Sequence, residues 1–325
     1  MKKRKVLLLF VLVAVVAATV AVFLNRVYLR DLISALSYEE PTEVLKIKEN
    51  LDLTDSGDLI LRASHTMLES EQDFNRNCKS YSVEMAVTGC YDGSYIHVYE
   101  INYEDLDGIM ESTMAHELLH AVWNRLDDGE KDRIGEMLLA VYKDARYAEK
   151  LENDLAFYGN WELLGELHSR VGTELKDLPE ELEEHYAKYF KNQDKVVGFY
   201  EKYGAEFRRL KAERETIETK LTELNGRIEE MVWQYQNNSE SLVKRITIFN
   251  ECASKAGCFK TDSEFNSQRT QLLDEQSELN DIRDNLVELI EQYNALVEKY
   301  NRNILRDQEL FNMMNSNIEK SDLIK

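Results

Sequence analysis

From Ala205 onward the apolar residues fall in alternating steps of three and four. Phe207, Leu210, Ile217, Leu221, Leu224, Ile228, Met231 and Tyr235 form one seam, broken only where Arg214 occupies a seam position. Leu272, Leu279, Ile282, Leu286, Leu289, Tyr293, Leu296 and Tyr300 form a second. Only an α-helix returns such positions to one face, so this pattern commits the C-terminal part of the chain to two long helices. Between them lie Cys252, Gly257 and Cys258, the ingredients of a turn. An antiparallel coiled-coil hairpin over 204–325 is the economical reading, because a local turn makes self-pairing cheaper than association. Parallel dimerisation through either seam satisfies the same periodicity. Two prolines and thirteen glycines in 325 residues extend the argument to the whole chain: the expected class is mainly α, with some β (α+β).

The opposite end has a different constraint. Four cations in MKKRK precede an uncharged run from Val6 to Leu24, which as a helix nearly crosses the roughly 30 Å hydrocarbon core of a bilayer. The run is long for the apolar part of a signal peptide and has no A-x-A exit, so residues 1–25 are expected to be a retained transmembrane anchor. If cleaved as a signal segment, they would release a secreted protein. The cations lie on the amino side, which keeps the N-terminus cytoplasmic and places the rest of the chain outside the cytoplasm. Residues 26–50 read as a linker.

Four cysteines suit an exported chain, and two local pairs read as disulfides, Cys78 with Cys90 and Cys252 with Cys258. Neither spacing matches the paired C-x-x-C of a cysteine zinc site; four buried thiols is the competing reading. The net charge of −21 argues against nucleic acid as a partner.

Residues 51–203 carry the chemistry. LDLTDSGDLILRAS reads as a short strand pair, and SYIHVYEIN alternates as a strand. DLDGIMESTMAHELLHAVWNRL then reads as one helix, with Asp105 and Asp107 near its start. Within it, His116 and His120 are four residues apart, so one helix face presents both imidazoles to a single metal, with Glu117 beside them. Neutral imidazoles hold Zn²⁺ without cancelling its charge. The ion lowers the pKa of its water to about 7, and a glutamate accepts the proton as that water attacks a carbonyl. With six histidines in the chain, H-E-x-x-H arises by chance with a probability on the order of one in a hundred. The competing reading is two partly buried histidines on a packed helix.

A catalytic zinc takes a third protein ligand. The extended metzincin pattern fails, since Trp123 and Leu126 stand where glycine and histidine are required. NWELLGELHSRVGTEL offers Glu162, Glu166 and Glu174, with Glu166 preferred and His168 as rival. With His116, Glu117, His120 and Glu166, the stretch from Tyr95 to Thr173 resembles the gluzincin class of zinc metallopeptidases, whose third ligand is a helix glutamate followed closely by small or polar residues. The resemblance implies one catalytic Zn²⁺ and a zincin-like domain over 51–203. Many gluzincins carry an aspartate four residues after the ligand glutamate to orient a zinc histidine. Here Arg170 stands there, leaving Glu174 or Asp154 to supply that bond.

An oxyanion forming on the attacked carbonyl needs a donor. His185, Tyr186, Tyr189 and Arg170 are the candidates, the aromatics equally readable as core. The expectation is a membrane-anchored, extracytoplasmic zinc metallopeptidase acting on peptide or protein substrates, with the strand SYIHVYEIN free to pair with an extended substrate. The alternative is a cell-surface scaffold that binds a protein partner through the coiled coil and carries an inactive or structural zincin-like domain.

Overall fold

The computed structural model describes residues 25–78, 86–151 and 160–316, with a few positions between 12 and 23. The chain divides into two compact units, Met1–Glu206 with Glu309–Lys325, and Phe207–Gln308.

The first unit is built around α5, Ile109–Arg125. Met114, Ala115, Leu118, Leu119, Ala121 and Val122 are all buried, on more than one face. A helix apolar on most sides belongs in the middle of a domain, where other elements cover each face. One cover is a three-stranded sheet in the order β1–β3–β2 (Met67–Glu69, Ile96–Tyr99, Gly89–Tyr91), with β1 parallel and β2 antiparallel to β3. Ile96 and Val98 point from β3 into the shared core. The others are α8 (Asn160–Glu174), which brings Leu167 and Val171, and α9 (Glu180–Tyr186) and α10 (Gln193–Tyr203), which bring Leu182, Tyr186 and Val196. α6 (Asp128–Tyr142) and α7 (Ala145–Leu151) complete the core with Ile134, Leu138, Val141, Tyr147 and Leu151. The disulfide Cys78–Cys90 ties the end of α4 (Glu71–Asn77) to β2.

Three expectations are corrected. Residues 26–50 are not a linker: they form α1 (Arg26–Ser37) and α2 (Thr42–Leu51), and Val44, Ile47 and Leu51 are core residues. LDLTDSGDLILRAS is not a strand pair, because Thr54 caps α3 (Asp55–Ala63) by accepting from the Gly57 amide at 3.2 Å, with Asp55 and Asp58 in the first turn. That cap and those acidic residues are a helix start, and they outweigh the β-like run Leu59–Leu61. The hairpin unit, finally, is shorter than 204–325. From Glu309 the chain rejoins the first unit, where Asn75 of α4 donates to the Ser316 carbonyl at 2.5 Å.

The second unit pairs α11 (Ala205–Ala253) with α12 (Asp262–Met314). Arg214 contacts Asp307 at 3.2 Å, while Arg245, farther along α11, pairs with Glu275, nearer the start of α12. Rising numbers on one helix meet falling numbers on the other, so the pair is antiparallel and intramolecular. Arg214, the interruption of the first seam, also donates to Asn303 at 3.0 Å, so a polar contact replaces a seam residue there. The Cys252–Cys258 disulfide and the packed rings of Phe249, Phe259 and Phe265 close the tip.

Most of the run Val6–Leu24 lies outside the described residues. Those described there, Leu12, Val15, Val16, Thr19, Val20, Val22 and Phe23, are helical and exposed. Among the described residues no helix is long and apolar enough to cross a membrane.

Candidate metal centre

Against so apolar a helix the polar residues of α5 need partners. Thr113 meets Thr88 hydroxyl to hydroxyl at 2.9 Å. His116 and His120 turn toward each other and toward α8, their Nε2 atoms 3.1 Å apart. Glu166 completes the group: Oε1 is 3.7 Å from His116 Nε2 and Oε2 is 3.4 Å from His120 Nε2. These are the three residues among those described that can jointly ligate a metal.

The fit can be tested by geometry. Ligands at about 2.0–2.1 Å in a tetrahedron around zinc stand roughly 3.3 Å from one another. The 3.1 Å between the two Nε2 atoms is close to that edge, and Glu166 faces one imidazole with each oxygen, Oε1 at 3.7 Å from His116 and Oε2 at 3.4 Å from His120, so the three residues lie near enough to share one ion. Two imidazoles and one carboxylate also form a borderline donor set that suits zinc and leaves the fourth position open. Electrostatics binds the group together without a metal. Burial disfavours charge on His116, but Glu166 foremost, then Glu117 and Glu174, outweigh it and bring its pKa to about 9. Burial would raise the Glu166 carboxyl; His116 and His120 reverse this and hold it well below the usual carboxylate range.

Glu117 is buried, with 6 % of its surface exposed, and burial raises its pKa against the pull of His120 and His116. A carboxylate kept dry and made more basic is the state a proton acceptor needs. The backbone of β2 lies against it: a Cβ on Gly89 would fall 2.5 Å from Thr113 Cγ2 and 3.0 Å from Glu117 Oε1. Only glycine lets the strand come this close.

The rival ligand His168 has a different place. It is fully buried, and its Nδ1 lies 3.1 Å from the Leu119 carbonyl, which can only accept. His168 therefore carries its proton on Nδ1, leaving Nε2 to accept from His185 Nε2–H at 2.8 Å. One backbone carbonyl thus fixes both tautomers. Burial, then His185 and His120, push the His168 pKa well down; burial, with Lys188 and Arg133, brings His185 to about 4. Both rings stay neutral and bolt α5 to α8 and α9. Tyr186, fully buried, donates to the His168 carbonyl at 2.8 Å. Burial pushes the Tyr189 hydroxyl up to about 12, helped by Glu130. Arg170 pairs with Glu174 at 3.0 Å inside the fold. The structure therefore gives the polar groups of His185, Tyr186 and Arg170 partners other than an attacked carbonyl.

Glu174 acts on His116 only through its charge, after Glu166 and Glu117, and it accepts hydrogen bonds from Arg170. Asp154 lies outside the described residues, as does the side chain of Glu162. The strand SYIHVYEIN does form β3, but β3 is central, with β1 and β2 on its two sides, so it has no free edge for a substrate. Sequence reasoning missed the histidine pair. A histidine bonded to a carbonyl of another helix has no local sequence pattern of its own, so no sequence signal could have found the pair.

Compared with protein-family models, curated proteins and solved structures, the chain matches none.

Proposed function

We propose that this protein is a membrane-anchored, extracytoplasmic zinc metallopeptidase of gluzincin type, hydrolysing peptide bonds in peptide or protein substrates. The observation that carries the reading is the convergence of His116, His120 and Glu166, with donor atoms close enough to share one ion, beside a buried, more basic Glu117. His116, His120 and Glu166 would hold the ion, which when bound supplies Lewis acidity to an oxygen it touches. Glu117 takes a proton from the attacking water and passes it to the departing nitrogen. The basic shift of its carboxyl favours the first transfer. Among the described residues β2 is paired only with β3, and it runs beside Glu117, so β2 offers an extended substrate the free edge that β3 lacks. Anchoring is supported by the uncharged run Val6–Leu24 behind its four cations.

The test joins metal content to chemistry. Purified full-length protein should contain one zinc per chain and cleave a mixed peptide library in a chelator-sensitive way. Glu117→Gln should keep the zinc and the fold while cleavage falls about 10²- to 10⁴-fold, because an amide cannot accept the proton. Zinc-loaded wild type that cleaves nothing, or a Glu117→Gln variant as active as wild type, refutes the peptidase reading. A second reading then gains weight: a surface scaffold that binds a protein partner through the coiled coil. It is favoured by Trp233, Val243 and Ile248, large apolar side chains that α11 leaves exposed.

A further inference from the structure

α1 is amphipathic the wrong way round. Its polar residues face the protein: Asp31 is buried and accepts from Arg125 Nε at 2.8 Å, Ser34 donates to the Ala63 carbonyl at 2.8 Å, and Arg62 donates to the Ala35 carbonyl at 3.1 Å. Its apolar residues face out. Tyr28, Leu32 and Leu36 follow one another at i, i+4 and i+8 with 55 %, 36 % and 75 % of their surfaces exposed, and Ile33 beside them is 70 % exposed. A helix packed on a water-soluble domain turns such a stripe inward. Arg26 and Arg30 lie along the rim of the stripe, both exposed.

We infer that the outward face of α1 lies on a lipid surface, seating the catalytic unit against the bilayer rather than tethering it at a distance. Two observations select lipid over a second protein chain. The uncharged run Val6–Leu24 ends one residue before α1, so an anchor there delivers the bilayer to the first turn of the helix. The cations on the rim and the tyrosine in the stripe are the residue types that settle at the headgroup level. Asp31 carries the consequence inward. Its ion pair is made with Arg125, the last residue of α5, so the end of α5 nearer His120 is the membrane-proximal one. The inference rests on the anchored reading of the N-terminal run and is independent of the metal.

The test uses full-length protein reconstituted into phosphatidylcholine vesicles containing phosphatidylglycerol. All four cysteines are in disulfides, so one introduced thiol can carry a fluorophore. Leu32→Cys, Ile33→Cys and Leu36→Cys lie on the stripe and leave the core untouched. Lys202→Cys lies beside Asp107, before the start of α5, and so at the other end of a helix about 25 Å long. An interfacial helix sits ~5–10 Å into the headgroup and acyl boundary. Lipids with a doxyl group high on the chain should therefore quench the three α1 labels at least about twofold more than the label at 202. Flotation of the protein with vesicles while the α1 labels are quenched no more than that at 202 overturns this inference alone. Label-to-label coupling at Leu36→Cys without lipid quenching also overturns it, showing a second copy on the stripe. Failure to float overturns both this inference and the anchored reading.

Discussion

Gly172→Ala probes the joint between the two helices that share the candidate metal group. A Cβ at that position would fall 2.5 Å from Leu119 Cδ1 and 2.5 Å from Tyr186 Cε1. Carbon atoms in contact settle at about 3.5–4.0 Å, so something must move by about 1 Å. The Leu119 methyl can rotate aside. The Tyr186 ring cannot do so freely, because it is fully buried and its hydroxyl is fixed to the His168 carbonyl at 2.8 Å. Alanine gains about 1 kcal/mol over glycine inside a helix, but overpacking a core costs about 1–3 kcal/mol. Because the Tyr186 ring is held in place, the overpacking cost falls in the upper part of that range, about 2–3 kcal/mol, leaving a net loss of about 1–2 kcal/mol, or a melting temperature lower by roughly 2–8 °C for a unit of this size. The clash that remains is with Tyr186 of α9, and relief that shifts α8 takes Glu166 with it. Ligand distances in a zinc site tolerate only about 0.2 Å, so zinc affinity should fall at least the 10- to 100-fold that disturbing a supporting residue costs. The control is Gly198→Ala in α10, where an added Cβ meets nothing within 4 Å and stability should hold or rise. Thermal melts in chelator and zinc titrations against a competing dye read both effects. If Gly172→Ala melts like wild type, the close packing of α5, α8 and α9 is wrong. A lower melt with unchanged zinc affinity shows that α9 yields instead of α8, and refutes the coupling.

Two further outcomes follow from the site. Glu166→Ala should abolish stoichiometric zinc binding, whereas Glu162→Ala and His168→Ala should retain it, His168→Ala melting lower because it leaves the His185 donor and the Leu119 carbonyl unpaired in the core; zinc analysis of the three variants decides. His185 gives a pH dependence: its folded pKa of about 4 lies below the usual ~6.5, so the unfolded chain binds the extra proton between these values. Stability is therefore full above pH ~6.5 and loses about 3 kcal/mol by pH ~4, and denaturant titrations of His185→Gln should lack that share of the decline.

What the sequence made legible follows the range of its signals. The hairpin was readable because the seam residues, apart from Arg214, alternate the same two steps, and the helix of the candidate site because His116 and His120 stand within about one helical turn. Glu166 was the choice among three glutamates, and only the approach of α8 to α5 brings its oxygens to both imidazoles. Misreadings came where tertiary packing overrode local pattern. Leu59, Ile60 and Leu61 look like a strand run, yet Thr54 and the acidic first turn make α3. Residues 26–50 look polar enough for a linker, but Val44, Ile47 and Leu51, spaced three and four apart, fill the core. α1 has no inward apolar stripe to announce it, since its buried anchor is Asp31.

α8 shows how one helix serves the candidate site on two sides. Glu166, Arg170 and Glu174 recur every four residues and so share a face, while His168 and Gly172 share another. The first face brings Glu166 to the histidines and, one turn on, the Arg170–Glu174 pair. The second meets α5 and α9 through the histidine pair and through the space only glycine leaves. Arginine at 170 then has a physical reason. A buried Glu174 close enough to act on His116 would cost several kcal/mol if left unpaired, and a guanidinium one turn away compensates it without leaving the helix. On this helix Glu174 places negative charge toward His116 and Arg170 pairs with Glu174 at 3.0 Å. Substituting Arg170 should therefore disturb the histidine side of the metal group before it disturbs Glu166.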